Sequence, residues 1–211
     1  MTILEEGSGT KKLCFEFSNQ WRVCNYDDDL ESFYRQNIQK CQGIGAVDFI
    51  ATNGENLLWI EVKNFCGFAS ETQPYLLSEE PQAVINCRET GKSLKQQIKV
   101  TRRKPFLADL VAQKIRDTFF GFAVALHQDD THLKPFIDDF KRGVPITIVL
   151  FLHQDKELDN PEKFKDMAPK LKTRIEQKLR CLNVNVLVEN SLTLPEDAGW
   201  KLKSCPSENS I

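Results

Sequence analysis

The residues of this chain best suited to chemistry are two carboxylates and a lysine set in short apolar runs. Asp48 stands in A-V-D-F-I-A, residues 46–51, and twelve residues separate it from Glu61, which shares the run L-L-W-I-E-V-K, residues 57–63, with Lys63. The period of two along a strand puts Leu57, Trp59, Glu61 and Lys63 on one face and Leu58, Ile60 and Val62 on the other. Both faces begin apolar, so an acid and a base fall where a sheet is covered, and an unpaired charge there costs several kcal/mol.

Asn53-Gly54 between the two runs is a turn signal and makes this the clearest hairpin of the sequence. If Thr52 pairs with Leu57 across a four-residue loop, Asp48 stands opposite Glu61, with Cβ atoms about 5 Å apart. A two-residue turn leaves the acids diagonal on one face, and a three-residue loop sends them to opposite faces. In the first two registers the carboxylates repel each other unless a cation lies between them. A hard divalent metal resolves the conflict. Mg²⁺ takes oxygen ligands at about 2.1 Å and commonly uses one or two protein carboxylates plus phosphate oxygens. Asp48, Glu61 and the backbone carbonyl of Val62 are the expected metal ligands, and Lys63 the group that orients water or offsets charge on a phosphorane-like transition state.

The surrounding elements have to hold these groups in place. Residues 13–18 and 21–26 pattern as strands. Residues 27–40 pattern as a helix with acids at its positive end and an apolar stripe of Leu30, Phe33, Tyr34 and Ile38. Residues 46–51 and 57–63 form the hairpin strands. Pro105 suits a first helical turn ahead of Leu107, Leu110, Val111, Ile115 and Phe119. Residues 144–152 are apolar on both faces, as in a central strand. A helix from Asn160-Pro161 to residue 181 and a strand over 184–188 complete a parallel crossover, for which the right hand is expected. These elements predict an α/β (α+β) fold with a central mixed β-sheet flanked by helices on both faces, as one domain over residues 1–203 with a polar tail, 204–211.

At 211 residues and 24.2 kDa, with 41% apolar and 27% charged residues, the composition is globular and excludes disordered, collagenous and small disulfide-stapled classes. A formal charge of -2 means that a polyanion has to be met by a local basic face. Seven scattered cysteines without a C-x-x-C pair read as reduced thiols. The first twelve residues lack the pattern of a signal peptide, and no apolar run is long enough to span a bilayer, so a cytoplasmic protein without membrane contact is expected.

Val47-Asp48-Phe49-Ile50-Ala51 followed by Glu61-Val62-Lys63 resembles the core of the PD-(D/E)xK, or restriction-endonuclease-like, nuclease superfamily. The resemblance covers residues 43–63 and extends to the helix near 105–120 and the strand near 146–152. It implies a nuclease core, ligation of Mg²⁺ or Mn²⁺ by Asp48 and Glu61, a catalytic Lys63 and, on the preceding helix, a further acid best matched by Glu31. Val47 stands where the name motif has proline. The strand usual between first helix and aspartate has no room in residues 41–45, so residues 21–26 would replace it. Gln113 is followed four positions later by Asp117, not by the tyrosine of the RecB branch.

Lys92, Lys95, Lys99, Arg102, Arg103 and Lys104 form an acid-free basic run that suits a phosphate backbone, or an ordinary solvated segment. Glu31, among the acids of 27–31, equally suits a helix N-terminus. The expected activity is metal-dependent hydrolysis of phosphodiesters in nucleic acid, DNA ahead of RNA, with pairing into a homodimer or with a partner protein. The alternative from another class is a nuclease-fold subunit that binds nucleic acid or protein without cutting.

Overall fold

The computed structural model describes residues 1–9, 12–66, 82–93, 105–153, 161–203 and 205. Its elements in chain order are strands β1 (Thr2–Glu6), β2 (Leu13–Phe17), β3 (Arg22–Asn25), β4 (Phe49–Thr52) and β5 (Leu57–Asn64), then helices α1 (Gln82–Ser93), α2 (Leu107–His127) and α3 (Lys134–Lys141). Strand β6 (Ile146–His153), helix α4 (Pro161–Lys178) and strands β7 (Asn185–Glu189) and β8 (Trp200–Lys203) follow. The chain is a mixed α/β protein of the α+β kind. Five strands in the order β3-β4-β5-β6-β7 form one sheet, and β1-β2-β8 form a smaller antiparallel one.

The larger sheet is mixed because β3, β4 and β5 are antiparallel neighbours while β6 runs parallel to both β5 and β7. Hairpin and crossover thus meet along β5 and β6. The run I-T-I-V-L-F-L-H lies between two parallel neighbours and is buried on both faces through its centre, as its lack of polar alternation requires.

One face of this sheet, with Ile50, Leu57, Trp59, Ile148 and Leu150, packs against Leu107, Val111 and Ile115 of α2, Phe136 of α3, and Leu171 and Ile175 of α4. Among the described residues, the other face is covered by the smaller sheet and not by the helices expected on both sides. Phe49, Ile60, Val62 and Phe151 instead meet Phe15 and Phe17 of β2 and Trp200 of β8. Phe15 sits edge-on to Phe49 and Phe151 at centroid distances of 5.4 and 5.2 Å, the arrangement that the quadrupoles of aromatic rings favour.

Two further expectations are corrected. The helix over residues 27–40 is a series of turns with one π-helical turn at Tyr34–Ile38. Asp29 Oδ1 accepts the N–H of Glu31, and Asn25 Oδ1 accepts that of Asp28, so side chains take the backbone donors a helix start would have used. Phe33, Tyr34 and Ile38 are buried as expected, but Leu30 is 75% exposed. The cysteines are not all thiols. Cys14 and Cys205 form a disulfide, with Cα atoms 5.3 Å apart. Antiparallel pairing of β2 with β8 sets Cys14 opposite Lys203 and brings position 205 alongside, a proximity invisible without β8. Among the described residues, no helix is long and apolar enough to cross a membrane.

Candidate metal centre

The register of the hairpin decides which faces the acids take. Thr52 pairs with Leu57 and Phe49 with Ile60, which is the four-residue loop and sets Asp48 opposite Glu61. Local chemistry favours that loop. Asn53 Oδ1 accepts the N–H groups of Glu55 and Asn56 at 3.0 and 2.8 Å, Thr52 Oγ1 accepts that of Gly54, and Gly54 takes φ +84°, a region that suits glycine.

Asp48, one residue ahead of β4, is held from three sides. Its carbonyl accepts the N–H of Tyr26 at 2.8 Å, its Oδ2 accepts the N–H of Val62 at 2.5 Å, and its Oδ1 lies 3.2 Å from Lys114 Nζ. Helix α2 fixes the approach to Asp48, because Asp117 Oδ2 accepts the N–H of Gly45 and Thr118 Oγ1 that of Val47.

Glu61 has no solvent exposure. Its Oε1 pairs with Lys63 Nζ and lies 2.9 Å from Lys114 Nζ, yet among the described residues neither of its oxygens accepts a well-aligned hydrogen bond. Lys63 Nζ also donates to the carbonyl of Val62 at 3.2 Å. Asp48, Glu61, Lys63 and the Val62 carbonyl are therefore brought together at the end of β5, as the alternation of the strand implies.

Three further residues join them. Lys114 of α2 reaches both acids, and Glu6 of β1 and Asp27 after β3 each offer an oxygen so that those of Glu6, Asp27 and Asp48 all lie within 4.8 Å of one another. Lys114 left a trace in the sequence, since it stands three residues after Val111 and four before Thr118, within the stripe that α2 buries. Asp27 left a weaker one as the first acid after a strand. Glu6 left none, because only the docking of the small sheet brings it here.

Glu31 does not take the role expected of it. It is exposed, and its N–H is engaged by Asp29; Asp27, four residues earlier, is the acid beside Asp48. Lys92 is exposed in the last turn of α1, while Lys95, Lys99, Arg102, Arg103 and Lys104 lie outside the described residues.

Charge crowding shows in the acids. Burial, then the charge of Asp48, raises the carboxyl of Asp27 to about 8 and that of Glu6 to about 7. Glu61 is raised from the ordinary carboxylate range by burial and by Asp48, against the pull of Lys63 and Lys114. Burial alone would lower the Lys114 ammonium, but Glu61 and Asp48 outweigh it and hold its pKa above the usual lysine value. Four carboxylates thus surround two ammonium groups.

A hard divalent cation fits this set. Among the described residues, every available ligand atom is an oxygen, the charge deficit of the fully ionised set is two, and both buried carboxylate oxygens of Glu61 lack a well-aligned donor. No family model matches the chain, and no match is found among curated proteins or solved structures.

Proposed function

We propose that this protein is a divalent-metal-dependent nuclease that hydrolyses phosphodiester bonds of nucleic acid, DNA ahead of RNA, on a core of the PD-(D/E)xK, restriction-endonuclease-like kind. The observation that carries this reading is the meeting of Asp48 and Glu61 at one ammonium nitrogen, beside Lys63 and the Val62 carbonyl. Asp48, Glu61 and the Val62 carbonyl would hold Mg²⁺ or Mn²⁺, with Asp27 and Glu6 as neighbouring oxygen donors. When bound, the cation supplies Lewis-acid polarisation of a phosphoryl oxygen and lowers the pKa of a coordinated water.

The remaining work falls to the chain. Val62 N–H fixes the rotamer of Asp48, so its second oxygen keeps one direction. Lys63, with 27% of its side chain exposed, can meet a phosphate from solvent while still tied to Glu61. Its ammonium offsets charge building on the non-bridging oxygens of the phosphoryl group, and its N–H groups orient an attacking water. Lys92, exposed in α1, would add a contact to the phosphate backbone, of the kind that carries affinity without sequence preference.

The non-cutting alternative draws support from Lys114, which already pairs with both acids. Incubation of the purified protein with linear, branched and single-stranded DNA and with RNA, in Mg²⁺ or Mn²⁺, separates the two. Cleavage by the wild type, lost in Asp48→Asn and in Lys63→Ala with circular dichroism unchanged, is expected. Full activity in either variant contradicts the assignment, as does a wild type that binds metal and cuts none of these substrates.

A further inference from the structure

Lys114 reaches the centre along a packed route. Thr118 Oγ1 donates to its carbonyl at 2.9 Å while accepting the N–H of Val47, so the turn of α2 that carries the lysine is tied to the segment leading into Asp48. A Cβ at Gly45 would lie 3.2 Å from Lys114 Cγ, so the missing side chain there gives the lysine stem its passage. At the far end Nζ lies 2.9 Å from Glu61 Oε1, 3.2 Å from Asp48 Oδ1 and 3.9 Å from Asp27 Oδ2.

The position of that nitrogen gives its charge a specific effect. It bridges the two carboxylates that would share a dication, and two cations cannot use the same oxygens at contact distance without strong repulsion. The lysine is also able to leave. It keeps 28% of its side chain exposed, whereas Glu61 is wholly enclosed, and Asp27 Oδ2, 3.9 Å from Nζ, is a third acid within its reach. A purely structural buried pair would be expected to satisfy both oxygens of its acid, and among the described residues neither oxygen of Glu61 accepts a well-aligned hydrogen bond.

We infer that Lys114 is a built-in competitor for the divalent cation: its ammonium neutralises Asp48 and Glu61 in the metal-free protein and is displaced towards Asp27 when metal loads. This rests on the metal-binding reading above and adds that the affinity of the centre is set by a residue that is not a ligand. The lysine keeps the acids from repelling each other in the unloaded state, and its withdrawal leaves a second cation next to Lys63 at the face open to phosphate.

Calorimetric titration of Mn²⁺ into the wild type, Lys114→Met and Lys114→Arg tests it without reference to cleavage. Lys114→Met retains the length of the stem but not the charge, and is expected to bind Mn²⁺ about tenfold tighter or more. Lys114→Arg, which keeps the charge, is expected to bind no tighter than the wild type. Measurable binding by the wild type with equal or weaker binding by Lys114→Met overturns the inference and leaves the metal centre standing. No binding by either protein at millimolar Mn²⁺ overturns both. Should Lys114→Met lack a cooperative melting transition in chelator, its recovery on adding Mn²⁺ supports the competition, and failure to recover contradicts it.

Discussion

The backbone N–H of Val62 donates to Oδ2 of Asp48 at 2.5 Å, so the aspartate ahead of β4 is anchored to the residue between Glu61 and Lys63. The side chains of a cross-strand pair usually keep some rotamer freedom; here one oxygen of the acid is committed to a backbone donor and the other is turned towards Lys114. The register set by the loop and the direction of the Asp48 side chain are thereby tied together by one contact.

Asp48→Glu tests that contact. The charge survives, but one added methylene carries the carboxylate away from Val62 N–H, and misplacement of about 1 Å can cost roughly 100-fold in rate. Cleavage by Asp48→Glu should fall by about that factor while calorimetry still detects Mn²⁺. Activity at the wild-type level would show that the geometry set by Val62 does not matter.

Gly121 provides a probe remote from the acids. A Cβ at this position would lie 2.5 Å from the hydroxyl oxygen of Tyr26, whose own N–H holds the Asp48 carbonyl. Alanine is normally the better helix former, yet overpacking should make Gly121→Ala less stable by about 1–3 kcal/mol. Urea unfolding measures this, and a stabilised variant would contradict the packing described.

The raised acids set a pH dependence. Glu6 and Asp27 titrate near 7 and 8 in the fold and near ordinary carboxylate values when unfolded, so between those limits the native state binds more protons. Stability of the metal-free protein should therefore fall as pH rises from about 4 to 8, with the loss complete above the folded values. Melting temperatures in chelator across this range should decline, and Mn²⁺ should flatten the slope because it favours the ionised acids. A melting temperature that rises through this window would contradict the crowding.

The Cys14–Cys205 bond closes nearly the whole chain and staples β2, the centre of the smaller sheet, to the segment after β8. Cys14→Ser should lower stability by about 2–5 kcal/mol in oxidising buffer and have no such effect in reductant. Thiol titration of the denatured wild type should find two fewer reactive thiols before reduction than after.

Much of the larger sheet can be read from patterns of period two and from one turn. β4, β5 and the doubly buried β6 each follow from their own residues, as do α2 from helical spacing and α4 from the Asn160-Pro161 start. β1 escapes such reading because T-I-L-E-E is largely exposed, and its place depends on β2, which it pairs from the edge. The turns over residues 27–32 defeat the helical pattern because Asn25 and Asp29 compete for backbone donors that periodicity does not weigh. Asp48, Glu61 and Lys63 were legible because strands hold them side by side. Glu6, Asp27 and Lys114 come from three other parts of the chain and meet them only through packing of the small sheet and of α2.

The most direct measurement is anomalous diffraction from a crystal grown with Mn²⁺. A single strong peak within ligand distance of Asp48 and Glu61, next to the Val62 carbonyl and with Lys114 drawn off those oxygens, is the predicted result. Bound manganese elsewhere, or acids still bridged by Lys114 with no peak between them, would contradict the centre proposed for this protein.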